Sequence, residues 1–347
     1  MKKILFATTA LVATAGVASA EVALTGTAEM GIYSPSTEDA DTQFFTDFDI
    51  RFTLSGEADN GLTFGATIDL DEAADNKNPG RFELPGKQGG EAVFISYGGA
   101  TLTMGDTDGA YDARIPEMAL AAASLSDDET VHAGFNHGDG DSLGMTGLDG
   151  AGSDGQIARF DYAYNGFTFS LSAEQTADGS DAVITADGVM SKSAAQDEGL
   201  AYDSIGDTIW GVGVSWSGQV SMVDLTVGLG YQTLEDVADV TGIAVTGGFA
   251  NGISAGLTYS VSDIDGSSDD ITHVGVGFGY EMNAIAVGLN WGQFEYDGDN
   301  QSGWGLAASY DLGGGLEARL GYGYSDMEGV WGSGDDSTWS LGLNMSF

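Results

Sequence analysis

"FFTDFDIRFTLSGEADNGLTFGATIDLD", residues 44–71, holds two alternating runs around one turn. In the first, Phe44, Phe48, Ile50, Phe52 and Leu54 share one parity, while Asp47, Asp49, Arg51 and Thr53 share the other. In the second, Leu62, Phe64, Ile68 and Leu70 oppose Thr63, Thr67, Asp69 and Asp71. Successive side chains of a strand point to opposite faces, so each run predicts a strand with one apolar and one polar face. Asp59-Asn60-Gly61 between them is tight-hairpin chemistry, because Asn and Gly tolerate positive φ.

The same pattern recurs along the chain, at 22–32, 91–98, 100–106, 155–164, 166–175, 209–217, 222–233 and 240–249, then at 252–262, 272–281, 283–294, 302–311, 315–325 and 337–347. With the opening pair this makes sixteen predicted strands. Their length suits the about nine to eleven residues of a tilted membrane-crossing strand. Seven tight turns are read, at Asp59-Asn60-Gly61, Gly98-Gly99, Asn165-Gly166, Ser217-Gly218, Asn251-Gly252, Met282-Asn283 and Gly313-Gly314-Gly315. They alternate with eight longer connections, 34–43, 72–90, 107–154, 176–208, 234–239, 263–271, 296–301 and 326–336. An even-stranded antiparallel barrel needs this alternation, with both termini on the short-turn side. Pro35, Pro79, Pro85 and Pro116 all fall in connections, as a continuous ladder requires.

Alternation alone also fits a soluble sandwich, so the charges and rings decide. Glu29, Asp47, Asp49, Arg51, Asp69, Arg159, Asp161, Glu174, Asp224, Glu317 and Arg319 all sit on polar parity. Tyrosine and tryptophan gather near strand ends, at Tyr33, Tyr97, Tyr164, Trp210, Trp216, Tyr231, Tyr259, Tyr280, Trp291, Trp304, Tyr310, Tyr324 and Trp339. Rings at both rims of an apolar band are a membrane-interface girdle. The expected class is therefore all-β, a 16-stranded antiparallel transmembrane barrel occupying residues 21–347.

The N-terminus supplies an export address. Lys2 and Lys3 precede an apolar, Ala-rich run, and Ala18-Ser19-Ala20 forms an A-x-A site, so residues 1–20 read as a cleaved signal peptide. No stretch is apolar for the about eighteen residues a membrane helix needs. Cysteine is absent, so stability rests on hydrogen bonds and packing rather than disulfides. A formal charge of −43 excludes general nucleic-acid binding, which needs a basic face. The chain ends "STWSLGLNMSF" (337–347), alternating to the last residue. In a closed barrel this strand pairs with the first, and Phe347 shares parity with Leu343 and Met345, facing lipid.

The connection 107–154 is long, and "ARIPEMALAAASL" (113–125) within it is Ala/Leu/Met-rich with Pro116 near its start. That composition predicts a helix, Pro suiting a first turn. An apolar helix must pack on something, and the barrel interior is the expected place.

"EVALTGTAEMGIY" (21–33), "RFTLSGEADNGLTFGATI" (51–68), "TLTMGDTDGAY" (101–111), "LAASYDLGGGLEARLGYGYSD" (306–326) and the terminal "MSF" together resemble alphaproteobacterial, Rhodobacter-type general-diffusion porins across nearly the whole mature chain. The resemblance implies a homotrimer in the Gram-negative outer membrane, in contact with lipid and lipopolysaccharide. It implies that the third loop, 107–154, folds inward to narrow the channel, its acids facing a basic wall. The acids are Asp106, Asp108, Asp112, Glu117, Asp127, Asp128 and Glu129. For the wall the chain offers Arg51, Arg159 and Arg319, fewer bases than such porins carry, with Arg114 in the loop itself. The terminal Phe347 resembles the signal read by the barrel-assembly machinery.

Other constellations are weaker. Asp263, Asp265, Asp269 and Asp270 in "DIDGSSDD", with "GDGD" (138–141) and "EYDGDN" (295–300), are spaced so that they could bind calcium, as the related porins do, but acidic solvated loops are the preferred reading. His132, His137 and His273 show no metal-ligand spacing. No catalytic motif is present, so the expectation is a non-enzymatic, water-filled, cation-preferring channel for small hydrophilic solutes, with no required cofactor. The alternatives are a solute-specific porin and an exported acidic calcium-binding β protein with a structural or adhesive role.

Overall fold

A backbone in an apolar medium must satisfy its N–H and C=O groups laterally, and a closed ladder does so without leaving an edge. The chain takes this solution. The computed structural model describes residues 21–34, 41–71, 74–75, 78–82, 88–125, 132–136, 147–150, 155–175, 181–185 and 188–347; the predicted signal peptide lies outside them. One closed antiparallel barrel contains sixteen strands: β1 (Glu21–Ser34), β2 (Gln43–Glu57), β3 (Thr63–Asp71), β4 (Gln88–Tyr97), β5 (Ala100–Gly105), β6 (Ile157–Tyr164), β7 (Phe167–Gln175) and β8 (Thr208–Val220). The second half is β9 (Val223–Leu234), β10 (Ala238–Phe249), β11 (Ile253–Ile264), β12 (Ile271–Met282), β13 (Ile285–Tyr296), β14 (Asp299–Gly313), β15 (Leu316–Met327) and β16 (Gly334–Ser346). Every strand pairs with its sequence neighbour, and β16 closes on β1 in the register Thr27↔Ser346 to Ser34↔Trp339. Phe347 continues the seam: its N–H donates to Gly26 O at 2.9 Å while its ring stays 76% exposed.

The burial pattern inverts that of a soluble protein. Leu229, Tyr231, Ile243, Leu257, Phe278, Leu289 and Trp291 are exposed, whereas Gln232, Thr258, Ser260, His273 and Asn290, on the opposite parity, are buried. An apolar belt of this extent far exceeds the patches that soluble surfaces tolerate. It matches a bilayer as solvent, and the polar parity faces inward.

Several turns follow the predicted chemistry. Gly98-Gly99 (φ 58° and 88°) and Asn165-Gly166 (φ 51° and 82°) have both central residues at positive φ, the hairpin geometry that suits strand twist. Three local expectations are corrected. Ser217-Gly218 is strand, not turn; β8 runs on to Val220 and turns at Ser221. Gly218 is there because the Trp216 ring lies where a Cβ would sit. The connection 296–301 is a two-residue turn, Asp297-Gly298 (φ 51° and 84°), and 234–239 is likewise short, since β9 and β10 extend into it. Tyr33 is not in the outer girdle. It is 7% exposed, packed inside on Phe45 and Leu125, and its parity is that of Glu29 and Gly31.

The connection between β7 and β8 builds its own structure. Short strands Ala182–Thr185, Gly188–Ser191 and Asp203–Ser204 form a sheet beside helix α1 (Lys192–Glu198). Ser191 caps the helix by accepting Ala194 N–H, and Gly199 ends it at φ 70°. Ala182 and Ile205 join a buried apolar cluster with Ile209, Leu234, Val240 and Ala244 of the wall and Tyr111, Ile115, Met118 and Leu148 of the β5–β6 connection.

The two faces of the wall predict unequal tolerance. Leu289→Arg on the outer face should cost about 2–4 kcal/mol of stability in lipid vesicles. Thr226→Lys, whose side chain faces inward beside Ser217 at 3.0 Å, should cost under about 0.5 kcal/mol. Denaturant titration of vesicle-embedded protein measures both.

Candidate functional site

The β5–β6 connection folds into the barrel, as expected, but not as a helix. Apart from one 3-10 turn, Asp112–Arg114, residues 113–125 are irregular and extended. Geometry explains the difference. Ala110 abuts Gly211 and Gly213 of β8; Met118 abuts Gly256, Gly275 and Gly277 of β11 and β12. Leu125 abuts Gly342 of β16 and Gly31 of β1. The segment thus crosses nine interstrand steps, roughly 43 Å at about 4.8 Å each. A helix over the same sixteen residues, 110–125, reaches about 24 Å, whereas extended chain covers the distance. Wall contact overrides helix propensity.

The wall is shaped to receive it. Side chains on the inward parity of β9 to β13 are replaced by glycine where the segment passes. A Cβ at Gly228 would meet the Arg114 backbone, and one at Gly288 the Leu120 carbonyl. A returning limb, 132–136, lies as close: Gly134 sits flush on Gly292, with no room for a side chain on either. His132 Nε2 meets Asn290 Oδ1 at 2.5 Å, His273 Nε2 meets Gly134 O at 3.0 Å, and Ala133 N–H donates to Ser325 Oγ at 2.9 Å.

Carboxylates on wall and loop hold the root. Ala110 N–H donates to Ser172 Oγ at 2.8 Å. Glu174 accepts Gly155 N–H at 3.0 Å and Gly150 N–H at 3.2 Å. Asp149 accepts Gly109 N–H at 2.7 Å and the Gln232 amide, while Gln232 Oε1 accepts Leu148 N–H at 2.8 Å. Burial pushes the Asp149 carboxyl up to about 6; its two donors oppose the shift. None of these anchors was among the predicted site residues.

The predicted arginines are drawn into three separate groups, not one wall cluster. Arg51 makes a forked pair with Asp69, Nε to Oδ1 at 2.8 Å and Nη2 to Oδ2 at 2.6 Å, with its side chain 57% exposed to the lumen. Arg159 joins Asp161 (Nε to Oδ2, 3.0 Å) and donates to Asp108 O at 2.5 Å. Arg114 reaches the same group, 3.9 Å from Asp161, and burial pulls its guanidinium below its ordinary value. Arg319, on β15 and three strands from β2 through the closing seam, pairs with Glu29 at 2.6 Å and Glu317 at 2.9 Å, and is largely buried. Of the predicted acids, Asp108 is 60% exposed beside Arg159. Asp106 accepts Gly90 N–H at 2.7 Å. Asp112 and Glu117 are half-buried on the inward segment. Asp127, Asp128 and Glu129, with His137, lie outside the described residues. Asp263 lies within β11, paired with Asp239 of β10, while Asp265, Asp269 and Asp270 are in the β11–β12 connection, where Ser267 and Asp269 bond to each other. No three His, Asp or Glu side chains converge as cation ligands among the described residues.

The open lumen therefore lies between the inward segment and β2 to β6. Its edge carries Arg51, Asp69, Asp106 and Asp108. Asp149 gives this arrangement a pH dependence. A carboxyl raised from 3.8 to about 6 on folding stabilises the fold fully below the lower value and loses that contribution as pH rises through the upper one. Asp149→Asn should remove this slope: between pH 4 and pH 7 the wild-type thermal midpoint should fall more than that of the variant, by the equivalent of about 3 kcal/mol at most.

Comparison with known proteins agrees with this architecture. A family model described as Gram-negative porin matches residues 7–329. A solved porin structure superposes with a TM-score of 0.65 at 20% identity, over 94% of this chain and all (100%) of its own. Two engineered variants of Rh. blastica porin superpose over the same shares, with TM-scores of 0.62 and 0.64 at 17% and 15% identity. No curated protein matches the chain by sequence. With a sixteen-strand barrel, an inward loop and a family match over most of its length, the chain belongs to the Gram-negative porin family of outer-membrane channels.

Proposed function

We propose that this porin is a passive, general-diffusion channel that prefers cations, working as a homotrimer. The observation that carries the preference is the state of the arginines whose side chains the structure describes. Arg51, Arg114, Arg159 and Arg319 each lie within 4.0 Å of a carboxylate. Their charge is locally balanced, so the remaining inward acids set the field. Fixed negative charge in a narrow aqueous path favours cations, and salt screens it. The whole chain carries 53 acids against 10 bases.

Passage needs no chemistry from the protein. Small hydrophilic solutes cross down their gradients through the space beside β2 to β6. The inward segment sets the bore, and the Arg51–Asp69 pair with Asp108 sets the transverse polarity. A solute-specific reading would need a shaped polar or aromatic site along this path, and among the described residues the edge groups are short carboxylates and one guanidinium.

The detergent-purified protein in a planar bilayer under a KCl gradient tests this. Large, persistent steps in groups of three are expected, with a reversal potential on the cation side that shrinks as salt rises; an anion-side potential contradicts the proposal. Phe347 offers a second test, of recognition by the assembly machinery. Its backbone closes the seam but its ring is exposed, so Phe347→Ala should reduce the amount reaching the outer membrane severalfold. The thermal midpoint of protein refolded in detergent should stay unchanged.

A further inference from the structure

We infer that Arg319 is a positioning residue: it latches the far end of the inward segment to the β15–β16–β1 seam and so fixes the bore. The inference rests on the channel reading above and concerns how that channel keeps its width. Arg319 stands on β15 and engages two other parts of the fold as well as a neighbour on its own strand. Nη1 donates to Glu29 Oε1 of β1 at 2.6 Å and to the Ser124 carbonyl of the segment at 3.3 Å, while Nε donates to Glu317 Oε2 at 2.9 Å. Asn344 of β16 donates to the same Glu29 oxygen at 3.1 Å, and Leu125 N–H donates to Ser340 Oγ of β16 at 3.4 Å.

Exposure separates this arginine from a channel-lining charge. The Arg319 and Glu29 side chains are 19% and 6% exposed, against 57% for Arg51. Charge-assisted bonds withdrawn from water are weakly screened, and a planar fork of donors can serve two carboxylates and a carbonyl together. Sterics work in the same place. Leu125, 1% exposed, wedges between Gly31 and Gly342 against Tyr33 and Phe45, leaving no room for a Cβ on either glycine. The root is held by Ser172 and Asp149, so the segment is tied at both ends and leans on glycines between them. Releasing the far tie lets the segment move into or away from the open lumen.

Substitutions that keep or remove the charge decide between latch and lining. Arg319→Lys keeps the charge but loses the fork; Arg319→Met loses both. Cysteine is absent from the natural chain, so a nitroxide on Ala123→Cys reports the segment alone. Each variant, purified and placed in liposomes, is read by swelling in uncharged sugars of rising size and by the nitroxide spectrum. A latch predicts a narrower, more mobile spectrum and an altered sugar exclusion limit in both variants, with swelling by the largest admitted sugar changed severalfold. Unchanged spectra and exclusion limits in Arg319→Lys, with a change confined to ion selectivity in Arg319→Met, would overturn it. Should Arg319→Met fail to assemble, Arg319→Lys and Leu125→Ala carry the same test, because the wedge and the fork hold one point. Failure of the wild type to swell in any sugar would count against the channel reading, while the spectra would still report on the latch.

Discussion

Everything in this molecule depends on lateral hydrogen bonding of the backbone around a closed circuit. Once β16 pairs with β1, no strand has a free edge and no peptide group faces lipid unpaired. Closure forces the division of labour among side chains. One parity must be apolar because it meets the bilayer, and the other is free to vary. The variation is where function resides.

The inner parity is not merely polar. Over β8 to β16 it is carved by glycine into a seat for residues 110–125 and 132–136, and by β8 to β10 it joins an apolar cluster including Tyr111, Ile115, Val240 and Leu148. Half of the interior therefore behaves like the core of a soluble protein. Water and solutes are left the other half, beside β2 to β6. The lateral offset of the open path follows from packing and needs no special hinge or lid.

The strands were legible because period two is a local property: residues 44–71 show it with no knowledge of partners. The acidic, inward parity was legible for the same reason. The path of residues 113–125 was not. Ala, Leu and Met favour helix by intrinsic propensity, and the competing demand comes from glycines scattered over ten strands, whose convergence is visible only after closure. Those glycines share the polar, inward parity, yet Gly228, Gly277 and Gly288 face protein. Asp149, Gln232 and Glu174 were not read as anchors because each is an ordinary polar residue on the expected face or loop; only their meeting with backbone N–H groups gives them that role. Tyr33 is different, since its parity with Glu29 and Gly31 already pointed it inward. Position near a strand end does not by itself place a ring in the girdle.

The seat of the inward segment has a consequence for the order of assembly. Its contacts with wall glycines begin on β8 and finish on Gly342 of β16 and Gly31 of β1, strands at opposite ends of the chain. That last site does not exist until the first and final strands have met. A partly zipped sheet can hold the root and middle of the segment, but its far end has nowhere to dock. Loop-closure entropy makes such a distant contact late. The wall is completed first and the aperture is set afterwards, so a barrel caught between the two stages would be sealed against lipid and yet have no fixed width.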